Sequence, residues 1–371
     1  MAEIRRVAVL GAGHGGCAAA ADLTLRGFEV RLQARSSARV GALQQGITLR
    51  RDGSECAVRP ALVTTDVTAA VAGADLVMLV VPAHAHDDYA RALAPLLIDS
   101  TVVMLNPGHT GGSLHFSASL ARLGGPLPVL CETVTLTYIC RLEGPATAAI
   151  YRETTGLRFA ALPAARAEEL ARWLRPLFPN LKPVANVLET GLMNINAVIH
   201  PAGMVMNAGW IEFLRGEFLF YREALTPAVA RVIEAVDGER LALAEKLSLD
   251  LPAFIDYFEA AGLTSEAARR SRSVYRAMQE SAPNRTIKAP ASLDHRYMHE
   301  DIGYGLVPMS ELARLVGAPT PTMDALIALG SVAQGRDYRR DGLTLARMGL
   351  QGASVEVLHR RVREGFTTSQ R

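Results

Sequence analysis

Three groups of residues in this chain have the types and spacing to do chemistry. The first is His200, set in the apolar run Gly191-Leu192-Met193-Asn194-Ile195-Asn196-Ala197-Val198-Ile199-His200-Pro201. Imidazole takes and gives protons near neutral pH, and polar groups inside a buried helix need partners. Asn196, His200 and Asn207 fall on one helical face, and Pro201 disfavours regular helix at His200, which puts the imidazole at a kink. The second group is the block from Arg296 to Pro308, which gathers charge in an apolar setting. Arg296 offers a planar fork for a carboxylate, and Asp301 can hold an imidazolium in place. Equally, Asp301 can cap a helix and Arg296 can sit in a surface ion pair. His295 and His299 compete as bases.

The third group is Gly11-Ala12-Gly13-His14-Gly15-Gly16, a G-x-G-x-x-G match at the start of the chain. The elements around it give the match its meaning. Arg6 to Leu10 reads as a strand, Gly15 to Arg26 as a small-residue helix stopped by Gly27, and Phe28 to Gln33 as a second strand. In such a βαβ unit Gly11 permits the tight turn, Gly13 lets a pyrophosphate approach, and Gly16 lets helix and strand pack closely. Amides of His14, Gly15 and Gly16 at the helix start favour the anion. No carboxylate stands at the end of the second strand, where NAD sites carry one. Arg35 stands there with Ser36 and Ser37 beside it, a set suited to a 2′-phosphate, so NADP is favoured over NAD. Val81-Pro82 and Asn106-Pro107 each follow a later strand and are expected at the same carboxyl edge of the sheet.

The elements needed to position these groups divide the chain into an α/β half and a helical half. Further strands are expected at Ala61 to Thr65, Asp75 to Val81, Thr101 to Leu105 and Pro128 to Cys131, with a hairpin over Ile47 to Arg59 turning at Asp52-Gly53. This is the pattern of a Rossmann-type, doubly wound parallel sheet. Beyond about Asn186 the helical period takes over, with Val229, Val232, Ile233, Val236, Leu243 and Leu247 on one stripe. Two domains follow: residues 1–185 for the dinucleotide and 186–371 for substrate and catalysis. Asp294 to Pro308 reads as an irregular connection, and the Arg-rich tail, Arg360 to Arg371, as frayed.

A net charge of +2 is too small for a nucleic-acid binder. Cys17, Cys56, Cys131 and Cys140 show neither metal-site nor disulfide spacing and fit a reducing, cytoplasmic setting. The first apolar run, Val7 to Leu10, is too short for a signal or a membrane span. Apolar surface on a helical second domain makes a homodimer the expected assembly.

Several blocks together resemble the octopine/nopaline, or opine, dehydrogenase family: GAGHGG, Asn106-Pro107-Gly108-His109-Thr110-Gly111-Gly112, Glu132 to Arg141, Asn194 to Pro201, and the block from Arg296. The resemblance implies reductive condensation of a 2-oxo acid with the amine of an amino acid, giving a secondary amine and oxidised cofactor, and the reverse. By motif, His200 is similar to the family's catalytic histidine, Asp301 to its orienting carboxylate and Arg296 to the arginine grouped with them. Thr137, Tyr138 and Cys140 are expected on a segment facing the same interdomain cleft, although packing suits Tyr138 and Cys140 as well. With Asn196 and Asn207 they complete the candidate substrate contacts. Two rival readings stand: a 2-oxo or 3-hydroxy acid dehydrogenase without amine coupling, and a non-catalytic NADP-binding sensor.

Overall fold

The computed structural model describes residues 3–367, so residues 368–371 of the basic tail lie outside the described residues. The chain forms two compact units. One runs to Gly191 and takes in Arg347–Leu350 and the stretch from Glu356; the other holds Leu192–Ala346 and Gln351–Val355. The division falls a few residues beyond the expected boundary, and the last part of the chain belongs to the first unit rather than the second.

The first unit is built on an eight-stranded sheet ordered β12-β11-β8-β7-β6-β1-β2-β5. Its strands are β1 (Arg6–Leu10), β2 (Glu29–Gln33), β5 (Leu62–Thr64), β6 (Leu76–Leu79), β7 (Val102–Leu105), β8 (Val129–Thr133), β11 (Leu157–Leu162) and β12 (Leu181–Pro183). β6 and β7 are buried at every residue, as continuous apolar runs in a central parallel sheet require. All pairings are parallel except β11 with β8.

A second, four-stranded sheet is ordered β4-β3-β10-β9. The expected hairpin forms its edge: β3 (Ile47–Arg51) and β4 (Ser54–Val58) pair antiparallel, and Asp52 and Gly53 take φ values of 51° and 76°, both positive as a type I′ turn demands. β10 (Thr147–Glu153) and β9 (Tyr138–Leu142) complete it. Helix His14–Leu25 packs against strands of both sheets, which explains why Ala18 to Ala21 are all small and fully buried.

Glu132, at the end of β8, is fully buried and receives bonds from the Ser113 amide (3.0 Å) and hydroxyl (2.5 Å). Its other oxygen meets the Thr190 hydroxyl, which also lies 3.2 Å from the Val187 carbonyl. That carbonyl can only accept, so a Thr190 hydroxyl donating to it needs a protonated Glu132 to complete the network. Burial pushes this carboxyl up to about 7 from its ordinary 4.5. With the folded value above the unfolded one, the stabilising contribution of the neutral acid is fully present below about 4.5 and is lost as pH rises through about 7. Glu132→Gln, neutral at every pH, is expected to melt near wild type at pH 5 and several degrees above it at pH 8. Calorimetry across that range checks this; parallel curves would contradict it.

The second unit is helical. Helix Pro227–Lys246 carries the expected stripe, with Val229, Ile233, Val236, Leu243 and Leu247 buried and Val232 partly so. Fully buried Arg240 bonds Asp237 (2.8 and 2.6 Å) and the carbonyls of Leu192 (3.2 Å) and Pro252 (2.8 Å), while Asp237 accepts from the Phe254 amide (2.8 Å). The pair is tolerated in the core because both charges are satisfied by hydrogen bonds.

Three expectations are corrected. Asp294 to Pro308 is not irregular: helix Arg296–Asp301 passes through a π-helical turn, Ile302–Leu306, into helix Val307–Val316. Pro308 lies in that helix's first turn, where its missing amide does no harm. Helix Asn196–Val205 runs unbroken through His200 and Pro201. The tail is helical to Glu364, because Leu358 and Val362, one turn apart, are both buried.

Candidate active site

In the first unit, β1, β6 and β7 end side by side. The Gly11 amide donates to Gln33 O (3.0 Å), Val80 to Leu10 O (2.8 Å) and Asn106 to Leu79 O (2.9 Å). From β1 the chain winds out through β2 to β5, then returns to the other side of β1 as β6. The β1/β6 edge is therefore the switch point at which open α/β sheets hold ligands.

The glycines there have different reasons to be glycine. At Gly11, with φ +109°, a Cβ would lie 2.3 Å from Val80 O; at Gly16 it would lie 1.7 Å from Gly11 O; at Gly15, 2.6 Å from a Leu136 methyl. Gly13 has an ordinary φ of −81°, and nothing lies within 4 Å of its Cβ position. The fold gives no internal reason for glycine at 13, and no side chain caps the helix that follows it. A bare helix start with clearance in front of it fits a pyrophosphate. His14 accepts from the Leu142 amide at 2.8 Å, which fastens the start of that helix to β9.

Arg35 and Ser36 are exposed just past β2, and Arg35 makes no ion pair among the described residues. Ser36 also caps helix Ser37–Leu43, accepting from the Arg39 amide at 3.4 Å. Arg39 was not legible as a site residue. It donates to the Ala12 carbonyl (2.9 Å) and to Cys17 Sγ (3.0 Å), and so braces the glycine loop. Val81 is half-buried and Pro82 exposed at the end of β6. Asn106 is buried: its amide donates to Thr137 Oγ1 (3.0 Å), and its oxygen accepts from Thr133 Oγ1 and the Thr137 amide (both 3.2 Å).

The substrate segment is largely structural. Thr137 is buried in that Asn106 network, and Tyr138 is buried with its hydroxyl donating to Asp22 at 2.7 Å, so Tyr138 is a packing residue and not a substrate contact. Cys140 is half-buried, and burial pushes its thiol up to about 11, which keeps it unreactive.

In the second unit His200, only 5% exposed, is brought to Asp301, 101 positions away. Nδ1 lies 2.7 Å from Asp301 Oδ2, and Nε2 lies 2.7 Å from the Tyr221 hydroxyl. Asp301 can only accept, so Nδ1 carries the hydrogen and Nε2 of the neutral ring accepts from Tyr221. Tyr297 stacks on the imidazole with centroids 3.6 Å apart and planes at 14°, and Phe220 meets its edge. Gly203, one turn after His200, leaves room for Phe220, since a Cβ there would lie 2.6 Å from that ring.

Arg296 donates through Nε (3.0 Å) and Nη2 (2.6 Å) to one oxygen of buried Glu300, leaving Nη1 free of that pair on an exposed guanidinium. Glu300 thus aims Arg296, while Asp301 turns to the histidine. His295 caps helix Arg296–Asp301, accepting from the Tyr297 amide (3.2 Å), and His299 bonds Asp294 (2.7 Å) and Tyr338 (2.8 Å). Neither is held by Asp301 as a base would be. Asn196 is exposed at the start of the His200 helix. Asn207 lies beyond that helix, and its amide donates to Gly203 O (2.8 Å) and Ala224 O (3.1 Å), a brace for the Phe220–Ala224 turn rather than a substrate contact. Tyr221, Tyr297 and Glu300 were not singled out from sequence. No group of three or more His, Cys, Asp or Glu among the described residues could hold a metal ion, and none of their helices is long and apolar enough to cross a membrane.

A sheet that offers uncapped helix amides at its switch point defines a dinucleotide-binding protein of the Rossmann class. Residues 183–334 match the family model described as the NAD/NADP octopine/nopaline dehydrogenase alpha-helical domain, and residues 7–108 match the ketopantoate reductase PanE/ApbA model. An opine dehydrogenase of Arthrobacter sp. (strain 1C) is 36% identical over 96% of this chain and 98% of its own length. Among solved structures, octopine dehydrogenase with NADH and agmatine superposes with a TM-score of 0.79 at 21% identity, covering 95% of this chain and 97% of its own. Yersinopine dehydrogenase with NADP+ gives 0.74 at 16%, covering 96% and 95%. The chain belongs to the opine dehydrogenase family. It binds NAD(P) and acts on CH–NH donors, condensing a 2-oxo acid reductively with an amino acid. Both rival readings give way to this one.

Proposed function

We propose that His200 is the acid–base group of this condensation, held by Asp301, that Arg296 binds the carboxylate of the 2-oxo acid, and that NADPH is the preferred cofactor. The observation that carries the first part is the 2.7 Å bond from His200 Nδ1 to a carboxylate only 3% exposed. Forming the imine from the carbinolamine needs a proton delivered to the departing oxygen, and a histidine held by Asp301 is the group placed to supply it. The bound dinucleotide supplies the hydride, for which the chain has no group of its own. Glu300 holds Arg296 in one orientation, so a carboxylate docked on the free edge of the guanidinium fixes the face of the carbon presented for reduction. Asn196, one turn before His200, is assigned to the polar end of the substrate.

The solved relatives bound to L-arginine, agmatine and pyruvate make pyruvate with basic amino acids the first pairs to assay. NADPH consumption that requires both oxo acid and amine supports the reading, and turnover with the oxo acid alone contradicts it. For the cofactor, the exposed and unpaired Arg35 supports NADP. Arg35→Ala is expected to lower kcat/KM for NADPH at least tenfold and to leave NADH within about twofold, since one charge-assisted phosphate contact is worth about 1.5–3 kcal/mol. Equal loss with both cofactors would refute that assignment. A cytoplasmic homodimer belongs to the same reading: buried thiols at Cys17 and Cys131 suit a reducing compartment, and Phe213 and Val332 carry apolar surface that a second copy would cover. Light scattering on a sizing column checks the mass.

A further inference from the structure

We propose that Arg39 is a positioning residue of the dinucleotide site, clamping the Ala12 carbonyl so that the Gly13 N–H is aimed at the pyrophosphate. The proposal rests on the glycine turn as the place of that anion. Three hydrogen bonds fix the guanidinium against the turn and its surroundings. Nε donates to Ala12 O (2.9 Å), Nη2 to Cys17 Sγ (3.0 Å), and Nη1 to the Pro145 carbonyl, in the connection between β9 and β10. Cys17 closes a triangle with them, since its thiol donates to the same Ala12 oxygen at 3.4 Å. Burial pushes that thiol up, so the sulfur keeps the hydrogen it donates.

The consequence lies on the other side of the peptide. The Ala12–Gly13 bond is trans and planar, so its N–H points opposite to its C=O. With Ala12 O drawn toward Arg39, the Gly13 N–H is directed away from that side chain, and it meets no acceptor among the described residues. Gly13 precedes the uncapped helix His14–Leu25 and has open space at its Cβ position. Its amide joins the first amides of that helix as a donor ready for an anion. Without the clamp the peptide is free to rotate, and rotation turns a carbonyl with its partial negative charge toward the phosphates.

The charge of Arg39 acts in the same direction. Its three acceptors are two carbonyls and a thiol sulfur, none of which neutralises it, and it takes part in no ion pair among the described residues. A half-buried cation without a counter-ion, fixed behind the turn, favours an anion in front of it. Arg35, assigned to the 2′-phosphate, serves the part of the cofactor in which NADPH and NADH differ. Arg39 serves the part they share.

The test titrates full-chain Arg39→Met, Arg39→Ala and Gly13→Leu with NADPH and NADH by fluorescence. Arg39→Met keeps the apolar stem and removes the fork. It is expected to bind both dinucleotides at least about tenfold more weakly and by the same factor, the scale of one charge-assisted hydrogen bond. Turnover at saturating cofactor is expected to stay within about twofold of wild type, because the loss is one of binding. Guanidinium ion added to Arg39→Ala, below denaturing concentrations, is expected to restore affinity for both dinucleotides; it cannot do so for a turn that has merely unfolded. Affinity of Arg39→Met within about twofold of wild type, a loss confined to NADPH, or no recovery with guanidinium would overturn the proposal. If Gly13→Leu loses affinity and Arg39→Met keeps it, the role of Arg39 alone fails. If Gly13→Leu keeps affinity as well, the pyrophosphate lies elsewhere and the underlying placement fails with it.

Discussion

His200→Ala is expected to lower kcat by about 10³-fold, within the range that a positioned acid–base group contributes, while leaving dinucleotide affinity within about twofold. The two effects separate because His200 stands in the helical unit and the glycine turn in the sheet unit. Stability complicates the alanine variant. Asp301 is 3% exposed and would lose its partner, and an uncompensated buried charge costs about 3–5 kcal/mol. His200→Asn answers this, because an amide keeps a donor for Asp301 but cannot take up a proton near pH 7. It is expected to melt above the alanine variant and to be equally slow. Rapid turnover by the asparagine variant would remove His200 from the chemistry, whatever the alanine variant does.

The parts of this molecule that were legible in the sequence are those decided by local rules. β6 and β7 announced themselves as unbroken apolar runs, and the Asp52-Gly53 turn as the pair most at ease with positive φ. The parts that were not legible depend on which surfaces meet. Tyr221 is twenty-one positions from His200 and lies on a π-helical turn, and no spacing rule links the two. Asn207 was placed with His200 by extending helical phase past Val205, where the helix ends; the residue belongs to the start of the next one. Asp294 to Pro308 reads as an irregular connection, yet Gly305 within it is glycine because a Cβ would lie 2.5 Å from that of Ala197. Close helix packing and a loop use the same residue, and composition does not tell them apart.

The same ambiguity, resolved by geometry, makes Gly13 the sharpest test of the cofactor turn. A side chain at Gly16 would collide with the Gly11 carbonyl, and one at Gly11 would face both Val80 and an unfavourable φ, so either change damages the fold and the ligand site together. At Gly13 the backbone is ordinary and the space is open. Gly13→Leu is therefore expected to melt within a degree or two of wild type, with the gain in chain stiffness offsetting little else. Its dinucleotide affinity is expected to fall at least 100-fold, because the new side chain occupies the space in which the pyrophosphate must approach the amides of His14, Gly15 and Gly16. Loss of affinity without loss of stability is the signature of a glycine kept for a ligand. Calorimetric melting and fluorescence titration with NADPH measure the two halves separately. Unchanged affinity would place the pyrophosphate elsewhere, and a large drop in melting temperature would mean that the turn serves the fold after all.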